Sequence, residues 1–274
     1  MIKIKKKKIG FFIVHGFLGN ATTGFDDLPR ILKKNRIDFW MTQLQGHGYD
    51  DDINTFNYKK CLRQVEIEYQ VFQQQYEKVY IMGFSMGGVI AGHLASHYGA
   101  DKMVLISPAF KYGGGNKIIS KVGDFFKAHK GKNEEDLPKI IEKVLNDNAA
   151  QELMDEFIAD KNSTINLAED YADTLKGVKI SVFTNFMRLV SNVKKHIITI
   201  DAPTRIYISE HDEIVPIDAA FYIFDKVTST DKRIEILTKV GHRIMVSELR
   251  KDVIIEIIKF LYGKRRVKWP KEKK

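Results

Sequence analysis

The chain has 274 residues, of which 44% are hydrophobic and 29% are charged. This length suits one large domain, or one domain with a sizeable insertion. The composition fits a soluble globular protein, and no apolar run approaches the length of a membrane span. The single cysteine, Cys61, excludes an intramolecular disulfide, and we expect it to be a small buried side chain in a helix.

The net charge of +9 is concentrated at the two ends of the chain. Residues 3–8 carry +5 and residues 264–274 carry +6, so the middle is slightly acidic at −2. A basic nucleic-acid-binding face on the folded body is therefore not expected, and we predict no nucleic-acid partner. We expect both ends to be solvated. The alternative is weak attraction to an anionic membrane surface, with Trp269 among the lysines as an anchor.

Lysines precede a short apolar run at residues 9–14, as in a secretion signal. The run has only six residues, and no small-residue cleavage site follows closely. A buried first strand explains the pattern better. We therefore expect a cytoplasmic protein.

Strands and helices alternate over the first 110 residues. The predicted strands contain fully apolar stretches at 80–82 and 103–106, which is typical of a parallel sheet covered on both faces. In chain order the pattern predicts a strand at 9–14, a helix at 26–35 with Pro29 in its first turn, a strand at 37–44, a helix around Cys61, a strand at 78–82, a helix that includes residues 89–95 and a strand at 102–107.

The pattern changes between residues 111 and 198. Gly113, Gly114 and Gly115 form a break, and the absence of a following Lys-Ser/Thr pair excludes a phosphate loop. Three helical stripes then follow without a convincing strand: Leu137, Ile140, Ile141, Val144 and Leu145; Leu153, Met154, Phe157 and Ile158; and Val182, Phe186, Leu189, Val190, Val193 and Ile197. We predict a helical cap insertion over residues 111–198, most of whose stripes are packing surfaces.

The alternation of strands and helices resumes after the insertion. It predicts a strand at 204–209, a helix at 217–227, a strand at 233–238 and a closing helix at 247–262. The predicted fold class is therefore α/β, with a mostly parallel sheet and helices on both faces. Residues 1–110 and 199–264 form the predicted core, and residues 265–274 form a basic tail.

A serine stands at the sharp junction between the strand at 78–82 and the helix after it. The segment Gly83-Phe84-Ser85-Met86-Gly87 has the Gly-x-Ser-x-Gly pattern of a nucleophile elbow. Glycines are needed on both sides because a Cβ there would meet neighbouring backbone. The turn would project the hydroxyl of Ser85 outward and would place the next N–H group at a helix N-terminus.

Serine needs an adjacent base, and that base needs a partner that fixes its tautomer. The sequence offers Asp212 and His242, and these two residues and Ser85 each directly follow a predicted parallel strand. The carboxyl ends of parallel strands meet at one edge of a sheet, so the three side chains can converge. Ser85, Asp212 and His242 are therefore the predicted catalytic residues.

Other polar residues near the predicted strand ends compete for catalytic or metal-binding roles. Among the histidines, we expect His15 and His47 to shape loops, and His211 to line the site. We expect His93 and His97 to have packing or surface roles without a metal. Of the acidic residues, Glu213 is the fallback acid and Asp218 is expected to begin a helix. We predict no metal and no cofactor.

Taken together, these motifs resemble the α/β-hydrolases, and within them the small bacterial carboxylesterases related to monoacylglycerol lipases. The order Ser, Asp, His along the chain is the one that this superfamily uses. The matching segments are residues 15–20 (HGFLGN), 46–48 (GHG), 83–88 (GFSMGG), 202–204 (APT), 211–213 (HDE) and 241–242 (GH). They cover the core from end to end, whereas the insertion matches only in being helical.

The resemblance implies hydrolysis of a small-molecule carboxylic ester through an acyl-serine intermediate. It implies an oxyanion hole made by the backbone N–H groups of Phe17 and Met86. Phe17, Met86 and Phe186 are the candidates for binding the substrate. Monoacylglycerol hydrolysis and thioester hydrolysis are alternatives, and a non-catalytic binding protein on the same fold is a more distant one.

Overall fold

The computed structural model describes residues 6–111, 178–263 and 266–270. In these ranges six strands form one sheet in the order β2-β1-β3-β4-β5-β6, and every neighbouring pair is parallel. The strands are β1 Lys7–Val14, β2 Phe39–Thr42, β3 Tyr76–Phe84, β4 Lys102–Ile106, β5 Thr204–Ser209 and β6 Lys232–Leu237. The predicted parallel α/β sheet is confirmed.

The described residues form six α-helices between and after these strands. They are α1 Leu28–Lys34, α2 Tyr58–Gln74, α3 Met86–Tyr98, α4 Ile180–His196, α5 Asp218–Phe224 and α6 Arg250–Tyr262. Local chemistry fixes two of the starts. Proline stands in the first turn of α1, where its missing N–H costs nothing. The side chain of Asn57 caps α2 by accepting hydrogen bonds from the N–H groups of Lys59 and Lys60.

Helices cover both faces of the sheet, as the apolar strands predict. Phe12 and Val14 of β1 point to the face covered by α2, α3, α4 and α5, whereas Phe11 and Ile13 point to the face covered by α1 and α6. All four side chains are fully buried. Burial of successive residues on opposite faces explains why the second half of β1 is a continuous apolar run.

Helix α4 makes up most of the described part of the predicted cap insertion. Its apolar stripe is helical as expected, and Val182, Leu189 and Val193 are buried in the same core as α2 and α3. The first two stripes, at 137–145 and 153–158, and the glycine run at 113–115 lie outside the described residues. The boundaries 111–198 therefore stay a prediction.

The C-terminal tail differs from the expectation that it is solvated. Val267 and Trp269 are half-buried and pack against the core on the α1 and α6 face. The side chain of Asn35 also binds the backbone of Lys268 in both directions, at 2.9 Å each. The apolar residues that alternate with the basic ones thus dock this part of the tail.

No helix among the described residues has the length and apolar character needed to cross a bilayer.

Candidate active site

Ser85 stands in a strained turn between β3 and α3. Its φ of 54° and ψ of −118° are unfavourable for a residue with a side chain. A Cβ on Gly83 would lie 2.0 Å from the carbonyl oxygen of Gly87, and a Cβ on Gly87 would lie 2.2 Å from the carbonyl oxygen of Val14. Both glycines are therefore required by close backbone packing. The structure has the strand-turn-helix context that the motif predicts.

Asp212 and His242 form a buried hydrogen-bonded pair. Nδ1 of His242 lies 2.9 Å from Oδ2 and 3.0 Å from Oδ1 of Asp212. Oδ1 also accepts hydrogen bonds from the N–H groups of Ile214 at 3.0 Å and Val215 at 2.8 Å. An ionised carboxylate can only accept, so Nδ1 of His242 carries the proton when the imidazole is neutral. Nε2 then has a free lone pair and can act as a base.

The strand ends bring His242 beside the serine turn. Ser85 follows β3, Asp212 follows β5 and His242 follows β6, all at the carboxyl edge of the sheet. The ring of Phe84, next to Ser85, lies 5.0 Å from the imidazole of His242 between centroids. The hydroxyl of Ser107, which follows β4, donates to the carbonyl oxygen of His242 at 3.3 Å. Residues that are far apart in sequence thus lie at the same edge of the sheet.

The backbone segments that carry the two candidate oxyanion residues lie next to Ser85. Met86 is the first residue of α3, so its N–H has no acceptor within that helix. Gly16 packs against the serine, since a Cβ added to it would lie 3.3 Å from Cβ of Ser85. Phe17 comes directly after Gly16. The two backbone segments that the resemblance assigns to an oxyanion hole are therefore adjacent to the serine turn.

An aromatic cluster surrounds the ring of Phe17, in the loop that follows β1. The ring of Phe17 stacks on Phe186 of α4 with centroids 4.8 Å apart and planes at 22°. Phe183 and Phe56 approach the ring of Phe17 at 5.7 Å and 6.0 Å. Two candidate substrate-binding residues, Phe17 and Phe186, are thus brought together, whereas the third, Met86, has no solvent exposure. The cluster can supply an apolar wall.

His15 and His47 lie near the site and have loop-shaping contacts. Nδ1 of His15 donates to the carbonyl oxygen of Gly16 at 2.7 Å, and its Nε2 accepts from the N–H of Leu44 at 3.1 Å. Nδ1 of His47 donates to the carbonyl oxygen of Gln45 at 3.1 Å. Burial lowers the pKa of His15 to about 3 and that of His47 to about 4. Both imidazoles are therefore neutral at pH 7 and fix loop geometry.

Glu213, the fallback acid, contacts the backbone of His242 instead of its imidazole. Its Oε2 accepts from the N–H of His242 at 3.2 Å. The structure thus favours Asp212 as the partner of the imidazole.

His211 is exposed and lies 3.3 Å from Glu210. Asp218 is the first residue of α5, as expected, and pairs with Lys111 at 2.6 Å.

His93 has a partner that the sequence pattern did not reveal. Its Nε2 lies 2.8 Å from Oε1 of Glu66 on α2, and its ring lies 4.3 Å from that of His97. The contact crosses two helices, so no local spacing signals it. No group of three ligating side chains suited to a metal occurs among the described residues.

Cys61 is buried, and burial raises its pKa to about 12, so the thiol stays protonated.

A shallow cavity of about 630 Å³ runs along the exposed edge strand β2. Its lining includes Pro29, Lys33, Phe39 and Trp40, but none of the residues of the serine site. We therefore do not assign the substrate to it.

Comparison with known proteins fits this geometry. The family model described as serine aminopeptidase, S33, matches residues 5–249. The chain belongs to this family. It is 24% identical over 251 residues to a thermostable monoacylglycerol lipase of Bacillus sp. strain H-257, covering 90% of this chain and 88% of the relative. It is 23% identical over 245 residues to putative esterase/lipase 2 of Mycoplasma pneumoniae, covering 88% and 84%.

Solved structures agree on the fold. The S33 chain superposes on the monoacylglycerol lipase of Paleococcus ferrophilus with a TM-score of 0.59 and 16% identity, covering 92% of this chain and 93% of the other. The fold is therefore that of the α/β-hydrolases. The chain is a hydrolase of this superfamily.

Proposed function

We propose that the chain is a serine carboxylesterase that hydrolyses short- to medium-chain carboxylic esters through an acyl-serine intermediate. The observation that carries the proposal is the buried Asp212–His242 pair at the sheet edge where the strained turn presents Ser85. A binding protein would have no need for such a pair next to a strained serine. The names of the lipase and esterase relatives agree with this chemistry.

The proposed reaction begins when Oγ of Ser85 attacks the carbonyl carbon of the ester. Nε2 of His242 takes the hydroxyl proton, and Asp212 stabilises the imidazolium that forms. The negative oxygen of the tetrahedral intermediate is bound by the N–H groups of Phe17 and Met86, each worth about 3 kcal/mol of transition-state stabilisation. His242 then gives the proton to the leaving alcohol. Water, activated by the same imidazole, releases the acid from Ser85.

The aromatic cluster supports an acyl group as the apolar part of the substrate. The rings of Phe17 and Phe186 stack directly beside the loop that carries the candidate oxyanion donor. Such a wall would bury the methylenes of an acyl chain, at about 0.8 kcal/mol for each CH₂. Monoacylglycerols are the nearest alternative substrates, since two relatives carry that name. Thioesters would use the same catalytic groups.

A fluorophosphonate probe tests the nucleophile. We expect it to label the wild type and to leave Ser85→Ala unlabelled, because the probe traps an activated serine hydroxyl. Ser191→Ala is the matched control, since Ser191 is exposed on α4. Labelling that survives in Ser85→Ala would refute the assignment.

A panel of substrates then tests the ester class. It contains p-nitrophenyl esters with acyl chains from C2 to C16, monoacylglycerols, acyl thioesters and aminoacyl p-nitroanilides, the last because of the family's aminopeptidase description. We expect the highest kcat/KM among short- to medium-chain esters. Turnover confined to the aminoacyl compounds would replace the esterase proposal with a peptidase.

A further inference from the structure

A cavity lined by positive charge lies where α1 meets the C-terminal tail. It has a volume of about 250 Å³ and is lined by Lys34, Asn35, Arg36, Arg266 and Lys268. Four of these five residues are cationic at neutral pH. We call this cavity the basic cavity.

The basic cavity is held in place by buried contacts. Asn35 is only 5% exposed, and its side-chain amide donates to the carbonyl oxygens of Ile31 at 2.7 Å and Lys268 at 2.9 Å. Its side-chain oxygen accepts from the N–H of Lys268 at 2.9 Å. On the other side of the tail, Val267 and Trp269 pack against the core. Two segments from opposite ends of the chain are thus joined at a fixed position.

The cations of the basic cavity lack carboxylate partners among the described residues. No ion pair of the described chain involves any of the four, and the nearby Asp38 pairs with Lys7 at 3.2 Å. Some basic side chains elsewhere on the surface do have partners, such as Arg205 with Asp231 at 2.6 Å. Like charges gathered without a counter-charge repel one another, and a bound anion would relieve that repulsion.

We propose that the basic cavity binds a phosphate group, either of a soluble phosphate compound or of a lipid headgroup. Arg36 and Arg266 offer planar guanidinium groups that match phosphate oxygens with two donors each, and Lys34 and Lys268 add point charges. The volume lies below the range of about 300–1,000 Å³ of drug-sized sites, so it suits a small anion and not an acyl chain.

The basic cavity is separate from the serine site. It lies at the end of α1 that precedes β2, at the edge where the parallel strands begin. Ser85, Asp212 and His242 follow the opposite ends of the strands. Its anion therefore does not depend on the proposed esterase chemistry, and the two proposals can fail independently.

Binding of tripolyphosphate and of inorganic phosphate, measured by titration calorimetry, tests the soluble source. Sedimentation with phosphatidylglycerol vesicles, against phosphatidylcholine vesicles, tests the lipid source. The test variant is Arg36→Gln/Lys268→Gln, and the control is Arg63→Gln/Lys195→Gln, which removes one Arg and one Lys from α2 and α4 on the other face of the sheet. Lys34→Gln/Arg266→Gln is a second test variant should the first fail to fold.

We expect the wild type to bind in at least one arm, with each test variant weaker by about 10-fold or more and the control within about 2-fold. Whichever arm shows this dependence identifies the source of the phosphate. Equal weakening in the test and control variants would mean attraction to net charge alone and would overturn the site. Absence of binding in both arms would overturn it as well. The circular dichroism spectrum and the thermal unfolding of all variants serve as the measure of correct folding.

Discussion

At the scale of single residues, the Asp212–His242 pair decides the chemistry. Replacement Asp212→Asn keeps the shape of the side chain. It substitutes an amide for the carboxylate that accepts the hydrogen bond from His242 and so fixes the proton on Nδ1 of that residue. The imidazole would then favour the wrong tautomer, and we expect kcat for a p-nitrophenyl ester to fall by about 10⁴-fold with the free energy of unfolding little changed.

Glu213→Gln is the matched control for Asp212→Asn. Oε2 of Glu213 accepts from the backbone N–H of His242, and an amide oxygen can do the same. We expect a loss of kcat of about 10-fold or less. Should Glu213→Gln instead prove as damaging as Asp212→Asn, the assignment of the acid would have to change.

The burial of His47 predicts how the free energy of unfolding depends on pH. Burial lowers its folded-state pKa to about 4, against 6.5 in the unfolded chain. Below pH 6.5 the unfolded chain binds a proton that the folded chain does not, so the free energy of unfolding falls as pH falls, by about 1.4 kcal/mol per unit, until pH reaches about 4. His15 acts in the same direction down to about pH 3.

Replacement His47→Gln removes one of these two contributions. We expect the slope of unfolding free energy against pH, measured by urea denaturation between pH 4.5 and 6, to decrease by about 1.4 kcal/mol per unit. Measurements at pH 7.5, where the imidazole is neutral in both states, supply the reference for the direct effect of the substitution. Parallel curves for wild type and variant over the whole range would contradict the burial of a neutral imidazole.

At the scale of elements, the serine turn depends on the approach of α3 to β1. A Cβ at position 87 would lie 2.2 Å and 2.4 Å from the backbone oxygens of Val14 and His15, which cannot move aside as a side chain can. We expect Gly87→Ala to lower the free energy of unfolding by about 3 kcal/mol or more and to abolish most of the activity. Thermal unfolding and probe labelling measure the two effects.

Gly92→Ala, on the same helix, is the control for Gly87→Ala. Its Cβ would meet only side-chain atoms, the nearest being Cζ of Phe110 at 3.0 Å. The gain in helix propensity, about 1 kcal/mol, offsets this crowding. We therefore expect a small change in stability and normal labelling. Equal damage from both substitutions would show that α3 is merely intolerant of added volume.

The local sequence patterns predicted the strands and helices better than they predicted the contacts between them. Strand β5 has the predicted bounds, because an apolar run between polar turns marks a buried central strand well. Strand β2, predicted over residues 37–44, covers only Phe39–Thr42 and pairs on one side alone. The positions of Asp212 and His242 were predictable because carboxyl strand ends share one edge. The Phe17–Phe186 stack was beyond prediction, since no periodicity relates a loop to a distant helix.

At the scale of the whole molecule, one sheet separates two chemically different edges. The edge where the strands end carries the serine turn and the imidazole, whereas the edge where they begin carries the basic cavity. Helix α6 runs between the two edges, starting shortly after His242 and ending shortly before the tail. The tail therefore completes the α1 and α6 face of the core at a distance from the proposed chemistry.

This separation predicts the effect of shortening the chain after Gly263. The truncation removes Val267 and Trp269 from the α1 and α6 face and the hydrogen bonds that Asn35 makes to Lys268. Loss of this half-buried apolar surface would lower the free energy of unfolding by about 2 kcal/mol, which corresponds to a decrease in Tm of about 4–8 °C. A deletion of residues 271–274 is the control, because it removes basic residues but keeps Trp269. We expect kcat of both shortened proteins at 25 °C to equal that of the full chain, since the tail lies at the other edge of the sheet. A truncated protein with unchanged Tm would contradict the stabilising contacts of the tail, and a loss of kcat at 25 °C would contradict its separation from the serine site.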